Sequence, residues 1–152
     1  EKIYSFYTLQ TDFKRGKLIT NEELLKLPVD ILAPSALERA ITESNAGGIV
    51  AEVILEMANN GVSEDGEKIF TGNGRIVIPD VIANSGGVTV SFFEWEQNIK
   101  NTTYTKEEVY ERLKKRLDEA CEEVFRNKQK YMTDLRKASL ITAVSRLSAK
   151  LR

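Results

Sequence analysis

The sequence has 152 residues, of which 41% are hydrophobic, and this is enough apolar material for one folded domain with a core. Its 22 basic and 23 acidic side chains leave a net charge of -1, which argues against nucleic acid or an anionic membrane surface as a partner. No apolar run approaches the roughly 20 residues that cross a bilayer and nothing resembles a signal peptide, so we expect a cytoplasmic location. The absence of histidine and the single cysteine, Cys121, exclude a Ser-His-Asp triad, an internal disulfide and nearly all zinc sites within this chain.

The amino-terminal part mixes aromatic and polar side chains without a strand pattern, and it contains one helix-start signal. Thr20 or Asn21 can cap a short helix, with two glutamates favourably placed in its first turn. The chain begins with Glu1 rather than methionine, so we expect it to be a piece of a longer polypeptide.

Three short apolar runs follow, at residues 29–33, 51–57 and 75–78. Each contains β-branched residues and is followed by proline, glycine or asparagine, which is typical of strands buried on both faces of a parallel sheet. Three buried helix pieces are the alternative, but the short length and the β-branched content favour strands. Residues 42–50 and 63–70 would then hold the crossovers, the first of them a weak helix because it contains two adjacent glycines.

From Thr105 onward the pattern changes to long amphipathic helices. Thr105 and Glu108 form a Thr-x-x-Glu capping box, and a second helix is expected to start at Thr133 or Asp134. Apolar residues recur near helical spacing in both helices, which predicts buried faces that serve as scaffold or pack on another domain. The predicted buried positions of the first helix are Val109, Leu113, Leu117, Ala120, Val124 and Tyr131, and those of the second are Leu140, Ile141, Val144, Leu147 and Leu151.

The segment 79–98 carries the densest set of candidate functional residues. Its pattern predicts a strand end, a loop and a new helix at the carboxyl edge of the sheet, where open parallel sheets bind ligands. If the helix starts near Asn84, then Val88, Ser91 and Trp95 share its face, so that an amide, a small apolar group and a hydroxyl would line one wall. The structural alternative is that Asn84 only caps the helix and Ser91 bonds to its own helix. Spacing alone favours this alternative, because caps and turns outnumber sites.

The same segment carries a longer motif. Pro79-Asp80 is followed by Asn84-Ser85-Gly86-Gly87-Val88, then by Ser91 and by Phe93-Glu94-Trp95-Glu96-Gln97-Asn98. With further matches at residues 19–24, 30–38 and 134–136, the chain from about residue 12 resembles the glutamate, leucine, phenylalanine and valine dehydrogenase superfamily. The serine followed by two phenylalanines, glutamate and tryptophan resembles the glutamate dehydrogenases rather than the leucine or valine enzymes.

The resemblance implies an α/β fold. It would be the second half of a Rossmann-like parallel sheet, with about three strands and their crossovers, followed by long carboxyl-terminal helices. Residues 1–104 would form a partial dinucleotide-binding domain that lacks the glycine-rich phosphate loop. Residues 105–152 would pack on it as part of one structural unit.

The resemblance also implies roles for individual residues. Asn84 would contact the nicotinamide end of NAD or NADP, and the hydroxyl of Ser91 would meet the side-chain carboxylate of glutamate. A hydroxyl donor can hold a carboxylate that an all-apolar pocket would leave unpaired. The implied cofactor positions are Pro34, Ala36, Asn59 and Asn84, and the implied substrate positions are Val88 and Ser91.

By the same resemblance, the chain would be a fragment of an NAD(P)-dependent glutamate dehydrogenase that converts L-glutamate to 2-oxoglutarate and ammonia as a homohexamer. The catalytic lysine and aspartate of that family lie upstream, in a substrate domain, so the fragment would not be competent alone. The alternative is a non-catalytic Rossmann-like binding or assembly module, which the missing phosphate loop and the long charged helices suggest.

A final expectation concerns the strand at residues 29–33, which would pair with the absent half of the sheet in the family. Here it would expose an unpaired edge. We therefore expect self-association, pairing of this edge with another chain, or poor order in the first 30 residues.

Overall fold

The computed structural model describes residues 17–151, in which short strands and helices alternate and a helical carboxyl-terminal part follows. The elements are α1 (Asn21–Leu25), β1 (Ile31–Leu32), α2 (Glu43–Ala46), β2 (Val53–Leu55), α3 (Glu64–Gly72), β3 (Ile76–Ile78), α4 (Asp80–Ala83), α5 (Ser85–Lys100), α6 (Lys106–Tyr131) and α7 (Leu135–Lys150). No helix in this range combines the length and the apolar composition that crossing a bilayer requires.

The three strands form one parallel sheet in the order β1-β2-β3. Ile31 of β1 lies opposite Val53 of β2, which in turn lies opposite Ile76 of β3. Parallel neighbours need a crossover, and α2 and α3 supply the two crossovers. The predicted strands and crossovers are confirmed, and α2 is only one turn long, as its glycines predict.

The core is built from the crossover segments and from β2 and β3. Ile54 of β2 and Phe70 of α3 are fully buried, and each such side chain stabilises the fold by about 1.5–3 kcal/mol. Gly66 lets α3 approach the start of α2, because a Cβ there would lie 3.1 Å from the carbonyl carbon of Thr42. The core cluster consists of Ile41, Ala46, Ile49, Ala51, Ile54, Val62, Phe70 and Val77.

Predicted helix starts are confirmed at three places. The backbone N–H of Glu23 donates to the hydroxyl of Thr20, and the backbone N–H of Thr20 donates to the carboxylate of Glu23. Both hydrogen bonds of a capping box are therefore present. Thr105 and Glu108 form the same box at the start of α6. Asp134 caps α7 by accepting a backbone N–H of its first turn.

The segment after β3 differs from the predicted loop, because the short helix α4 takes its place. The carbonyl of Pro79 accepts the backbone N–H groups of Ile82 and Ala83, at 3.1 and 2.9 Å. Asp80 puts a carboxylate in the first turn, where the helix dipole favours it. The chain then passes from α4 into α5 with only Asn84 between them.

The predicted buried side of α7 is wrong. Ala138, Ser139 and Thr142 are its buried residues, and Asn127 of α6 donates to the Thr142 hydroxyl at 2.8 Å. Small side chains let α7 lie close to α6, so its larger apolar residues point away. We call the exposed ones the α7 stripe: Leu140 (49% exposed), Val144 (63%), Leu147 (63%) and Leu151 (88%). Ile141 is half-buried, and on α6 the predicted Tyr131 is half exposed whereas Val124 is buried.

Glu96 joins α5 to α6. Its carboxylate accepts hydrogen bonds from Lys100 at 2.7 Å, from the hydroxyl of Tyr104 at 3.0 Å and from Arg112 of α6 at 2.5 Å. The guanidinium of Arg112 also lies over the ring of Phe93, 4.5 Å from its centroid. The hydrogen bond from Lys100, followed by that from Arg112, lowers the pKa of Glu96 to about 2.

This lowered pKa predicts a loss of stability in acid. Ionised Glu96 stabilises the folded chain fully above the ordinary pKa of 4.5, and the effect is lost as the pH falls towards about 2. Glu96→Gln removes the titration, so its urea midpoint should lie below that of the wild type near neutral pH and converge with it in acid. Glu94→Gln, at an exposed position on the same helix, is the control. A difference that stays constant down to about pH 2 would contradict the prediction.

The outer strand β1 has a neighbour on one side only within residues 17–151, and its Ile31 is 60% exposed. Such an edge can pair with another strand. Self-association therefore stays a prediction. Of the first 30 residues, 1–16 lie outside the described range, and the remainder contains the capped helix α1.

Candidate functional site

The segments that leave the three strands meet at the carboxyl edge of the sheet and surround a cleft of about 680 Å³. Open parallel sheets bind ligands at this edge. We call it the strand-end cleft; its lining residues are Ser35, Ala36, Glu38, Met57, Ala58, Asn59, Asn84 and Val88.

Asn84 stands at the junction of α4 and α5, and its side chain does not cap α5. Its Nδ2 group donates to the Oδ1 atom of Asn59 at 2.7 Å and to the carbonyl of Met57 at 3.4 Å. The Met57 carbonyl can only accept, so it fixes which end of the Asn84 amide faces the loop after β2. The capping alternative is therefore wrong for Asn84. Within residues 17–151 its Oδ1 atom receives no hydrogen bond.

The loop after β2, residues 57–61, is held from several sides, and we call it the cleft loop. The carbonyl of Pro34 accepts the backbone N–H groups of Met57 and Ala58, at 3.1 and 2.9 Å. The Asn60 carbonyl accepts the backbone N–H of Arg39 at 2.7 Å, and Asn60 itself has a left-handed backbone with φ of 50°. Asparagine adopts this region more readily than other non-glycine residues, so Asn60 is suited to this position of the loop.

The sequence-predicted site residues fall into two groups. Ala36, Asn59, Asn84 and Val88 line the strand-end cleft. Pro34 is buried beneath it, where its carbonyl supports the cleft loop, and Ser91 lies exposed one turn further along α5, outside the lining.

Among the residues that sequence reasoning missed, Glu38 and Met57 also line the cleft. The rule that ligands bind after strand ends could have found both, since they follow β1 and β2.

A partly buried group of charges was also missed; it lies behind the cleft loop. Arg136 of α7 pairs with three carboxylates: Nη2 with Glu56 at 2.6 Å, Nε with Glu67 at 2.5 Å and Nη1 with Asp80 at 3.2 Å. We call these four residues the Arg136 cluster. Glu56 follows β2 directly and its side chain is 0% exposed. Burial raises the pKa of the Glu67 carboxyl, although its hydrogen bond to Arg136 acts in the opposite direction.

Glu56 and Asp80 also accept backbone hydrogen bonds. Glu56 accepts from Val62 through Oε1 at 2.7 Å and from the backbone of Asp80 through Oε2 at 2.9 Å. Asp80 accepts from the backbone of Asn60 through Oδ2 at 2.8 Å. The carboxylates are thus occupied by backbone donors and a guanidinium, and no group of side chains in residues 17–151 is arranged to hold a metal ion.

A second groove of about 450 Å³ runs between α5, α6 and α7, away from the strand ends. Its floor includes the buried Phe93 and Val124, and its rim carries Arg116, Arg146 and Lys150. Arg146 is already paired with Glu123 at 2.5 Å. Because this groove lacks the convergence of strand ends, the strand-end cleft is the better candidate site.

The chain is similar to known dehydrogenases over most of its length. The glutamate dehydrogenase of Thermotoga maritima is 42% identical over 136 residues, which make up 90% of this chain and 33% of that protein. The NAD-specific glutamate dehydrogenase of Staphylococcus aureus is 39% identical over 142 residues, or 93% of this chain and 34% of that protein. The chain therefore spans about a third of the length of these relatives.

A similar solved structure and a family model lead to the same family. The hetero-hexameric glutamate dehydrogenase from Thermus thermophilus, in its leucine-bound form, has a TM-score of 0.85 and 30% identity, covering 91% of this chain and 33% of that one. The family model described as Glutamate/Leucine/Phenylalanine/Valine dehydrogenase matches residues 2–152. The chain thus belongs to the glutamate, leucine, phenylalanine and valine dehydrogenase family.

Proposed function

We propose that this chain forms the nicotinamide-side wall of an NAD(P)-dependent glutamate dehydrogenase, and that its parent converts L-glutamate to 2-oxoglutarate and ammonia. The observation that carries the proposal is the strand-end cleft, in which Ala36, Asn59, Asn84 and Val88 meet. The names of the two curated relatives, both glutamate dehydrogenases, support the choice of substrate.

The donor and acceptor groups of the cleft fit the nicotinamide end of the cofactor. The Oδ1 atom of Asn84 is an available acceptor for the N–H groups of a carboxamide, and the side chains of Met57, Ala58 and Val88 offer apolar contact for a ring. When bound, the cofactor supplies the hydride acceptor. The glycine-rich loop for the pyrophosphate is absent from this sequence, so the chain would hold one end of NAD or NADP only.

On the substrate side, Val88 would border the amino acid, and the Ser91 hydroxyl, one turn further along α5, would donate to its side-chain carboxylate. The chain has no histidine, and the proton-transfer groups would come from elsewhere in the parent. We therefore expect the isolated chain to be inactive.

Ser91→Ala in the full-length parent tests the proposal. A hydrogen bond to a charged group is worth about 1.5–3 kcal/mol, so kcat/KM for glutamate should fall about 10- to 100-fold. Norvaline has the length of glutamate without the side-chain carboxylate, and its kcat/KM should change little. Steady-state oxidation of both amino acids with saturating NAD or NADP measures the two effects.

Ser145→Ala is the matched control, since Ser145 is an exposed serine on α7. A parent in which Ser91→Ala slows glutamate and norvaline equally would contradict the role of the hydroxyl. A wild-type parent that neither binds NADH or NADPH nor oxidises glutamate would overturn the proposed function.

The exposed α7 stripe favours a second candidate, a non-catalytic assembly module. The Thermus thermophilus relative is hetero-hexameric by name, which supports a hexameric parent, and we infer that the six subunits of this parent are identical. A parent that assembles but lacks dinucleotide binding and glutamate oxidation would favour the module over the enzyme.

A further inference from the structure

The Arg136 cluster joins elements that are far apart in sequence. Arg136 lies in the first turn of α7, whereas its partners follow β2, lie in α3 and begin α4. The guanidinium uses Nε, Nη1 and Nη2, one for each carboxylate. Without this cation the three carboxylates would repel each other, so Arg136 holds them together.

Two of these carboxylates hold the cleft loop. Glu56 precedes the loop and accepts the N–H of Val62 just after it, so one side chain closes both ends. Asp80 accepts the N–H of Asn60 within the loop and thereby holds that residue in its left-handed conformation. The path from Arg136 to the cleft therefore runs through two side chains and the loop backbone.

The loop in turn orients the two cleft amides. Asn59 directly precedes the left-handed Asn60, and the Oδ1 atom of Asn59 is 2.7 Å from the Nδ2 atom of Asn84. The Met57 carbonyl gives Asn84 its second acceptor. A shift of the loop moves both acceptors together and leaves the amide of Asn84 without a fixed orientation.

We propose that Arg136 is a positioning residue for the nicotinamide wall: through Glu56 and Asp80 it fixes the cleft loop, and through the loop it fixes the amides of Asn59 and Asn84. Arg136 does not line the strand-end cleft. This role rests on the proposed function, because it concerns the wall that would face the cofactor.

Arg136→Met in the full-length parent tests this role. The substitution keeps an unbranched apolar stem and removes the guanidinium, so the cleft loop should lose its fixed position. The amide of Asn84 then loses its orientation towards the cofactor, and we expect the KM for NAD or NADP to rise about tenfold. The KM for glutamate should change less than twofold. A purely structural role would instead lower the concentration of active enzyme. The apparent kcat, calculated from total enzyme, would then fall while the KM for the cofactor stayed unchanged.

Three further variants keep the experiment interpretable. Arg126→Met on α6 is the matched control, because Arg126 is exposed and its only ion pair in the described range is a 3.8 Å contact with Glu122. Arg136→Lys keeps the charge without the three-way geometry and should give an intermediate cofactor KM. Asp80→Asn loosens the link to Asn60 if Arg136→Met does not fold, and it too should raise the cofactor KM.

The possible outcomes separate the two proposals. If the wild type oxidises glutamate and Arg136→Met matches Arg126→Met in cofactor KM, the positioning role is overturned while the proposed function stands. The same holds if Arg136→Met does not fold and Arg136→Lys and Asp80→Asn leave the cofactor KM unchanged. If fluorescence titration shows that the wild type does not bind NADH or NADPH, the proposed function falls and the positioning role falls with it.

Discussion

Replacing Glu56 with alanine is expected to lower the free energy of unfolding by about 3–5 kcal/mol. The Glu56 side chain is 0% exposed and accepts the N–H groups of Val62 and Asp80 as well as the guanidinium of Arg136. Alanine leaves two backbone donors without an acceptor. A water molecule could accept from them only if it entered the space behind the cleft loop. Urea denaturation followed by circular dichroism measures the loss.

Glu52→Ala is the matched control for this experiment. Glu52 lies directly before β2 and Glu56 lies directly after it. The side chain of Glu52, in contrast to that of Glu56, is exposed. We expect it to change stability by less than about 0.5 kcal/mol. If Glu56→Ala costs as little as Glu52→Ala, the buried carboxylate does not stabilise the loop.

Replacing Asn84 with leucine in the full-length parent is expected to lower kcat/KM for NAD or NADP about 100-fold, or about 2.7 kcal/mol. Leucine removes the acceptor proposed for the carboxamide and leaves the Met57 carbonyl and the Asn59 amide without their donor. The loss should appear mainly as weaker cofactor binding, because Asn84 acts on the cofactor rather than on protons. Initial rates at varied cofactor concentration, with glutamate saturating, measure it.

Asn98→Leu serves as the control, since Asn98 is an exposed asparagine near the other end of α5. It should behave as the wild type. An Asn84→Leu enzyme with unchanged cofactor KM and kcat would mean that the amide does not contact the cofactor.

The strands and helix starts could be predicted because their signals are local. A run such as residues 75–78 is apolar and ends at Pro79, and the capping box of Thr105 and Glu108 lies within one helical turn. The residues of the strand-end cleft could be predicted partly for the same reason, because they follow strands. Spacing alone favoured Asn84 as a cap, and Asn84 does occupy the N-cap position of α5, but its side chain makes no capping hydrogen bond.

The sequence-based predictions are wrong where tertiary contacts determine which side chains are buried. The α7 stripe has the periodicity of a buried face, yet the buried residues of this helix are small ones such as Ala138 and Thr142. A single sequence shows that a face is apolar but not which partner covers it. Glu56 lies among apolar residues and could have been suspected of ion pairing, but nothing local identifies Arg136, 80 positions later, as its partner.

That separation has a consequence for the order in which the chain folds. At about 5–20 residues per second, a ribosome needs roughly 4–16 s to synthesise the 80 residues from Glu56 to Arg136. Local helices and loop contacts form within microseconds. β2 and the cleft loop therefore leave the ribosome long before Arg136 has been synthesised. Until then the Glu56 carboxylate can remain hydrated only if the loop stays open. During synthesis, the Arg136 cluster behind the cleft loop is therefore completed only after the start of α7 has been made.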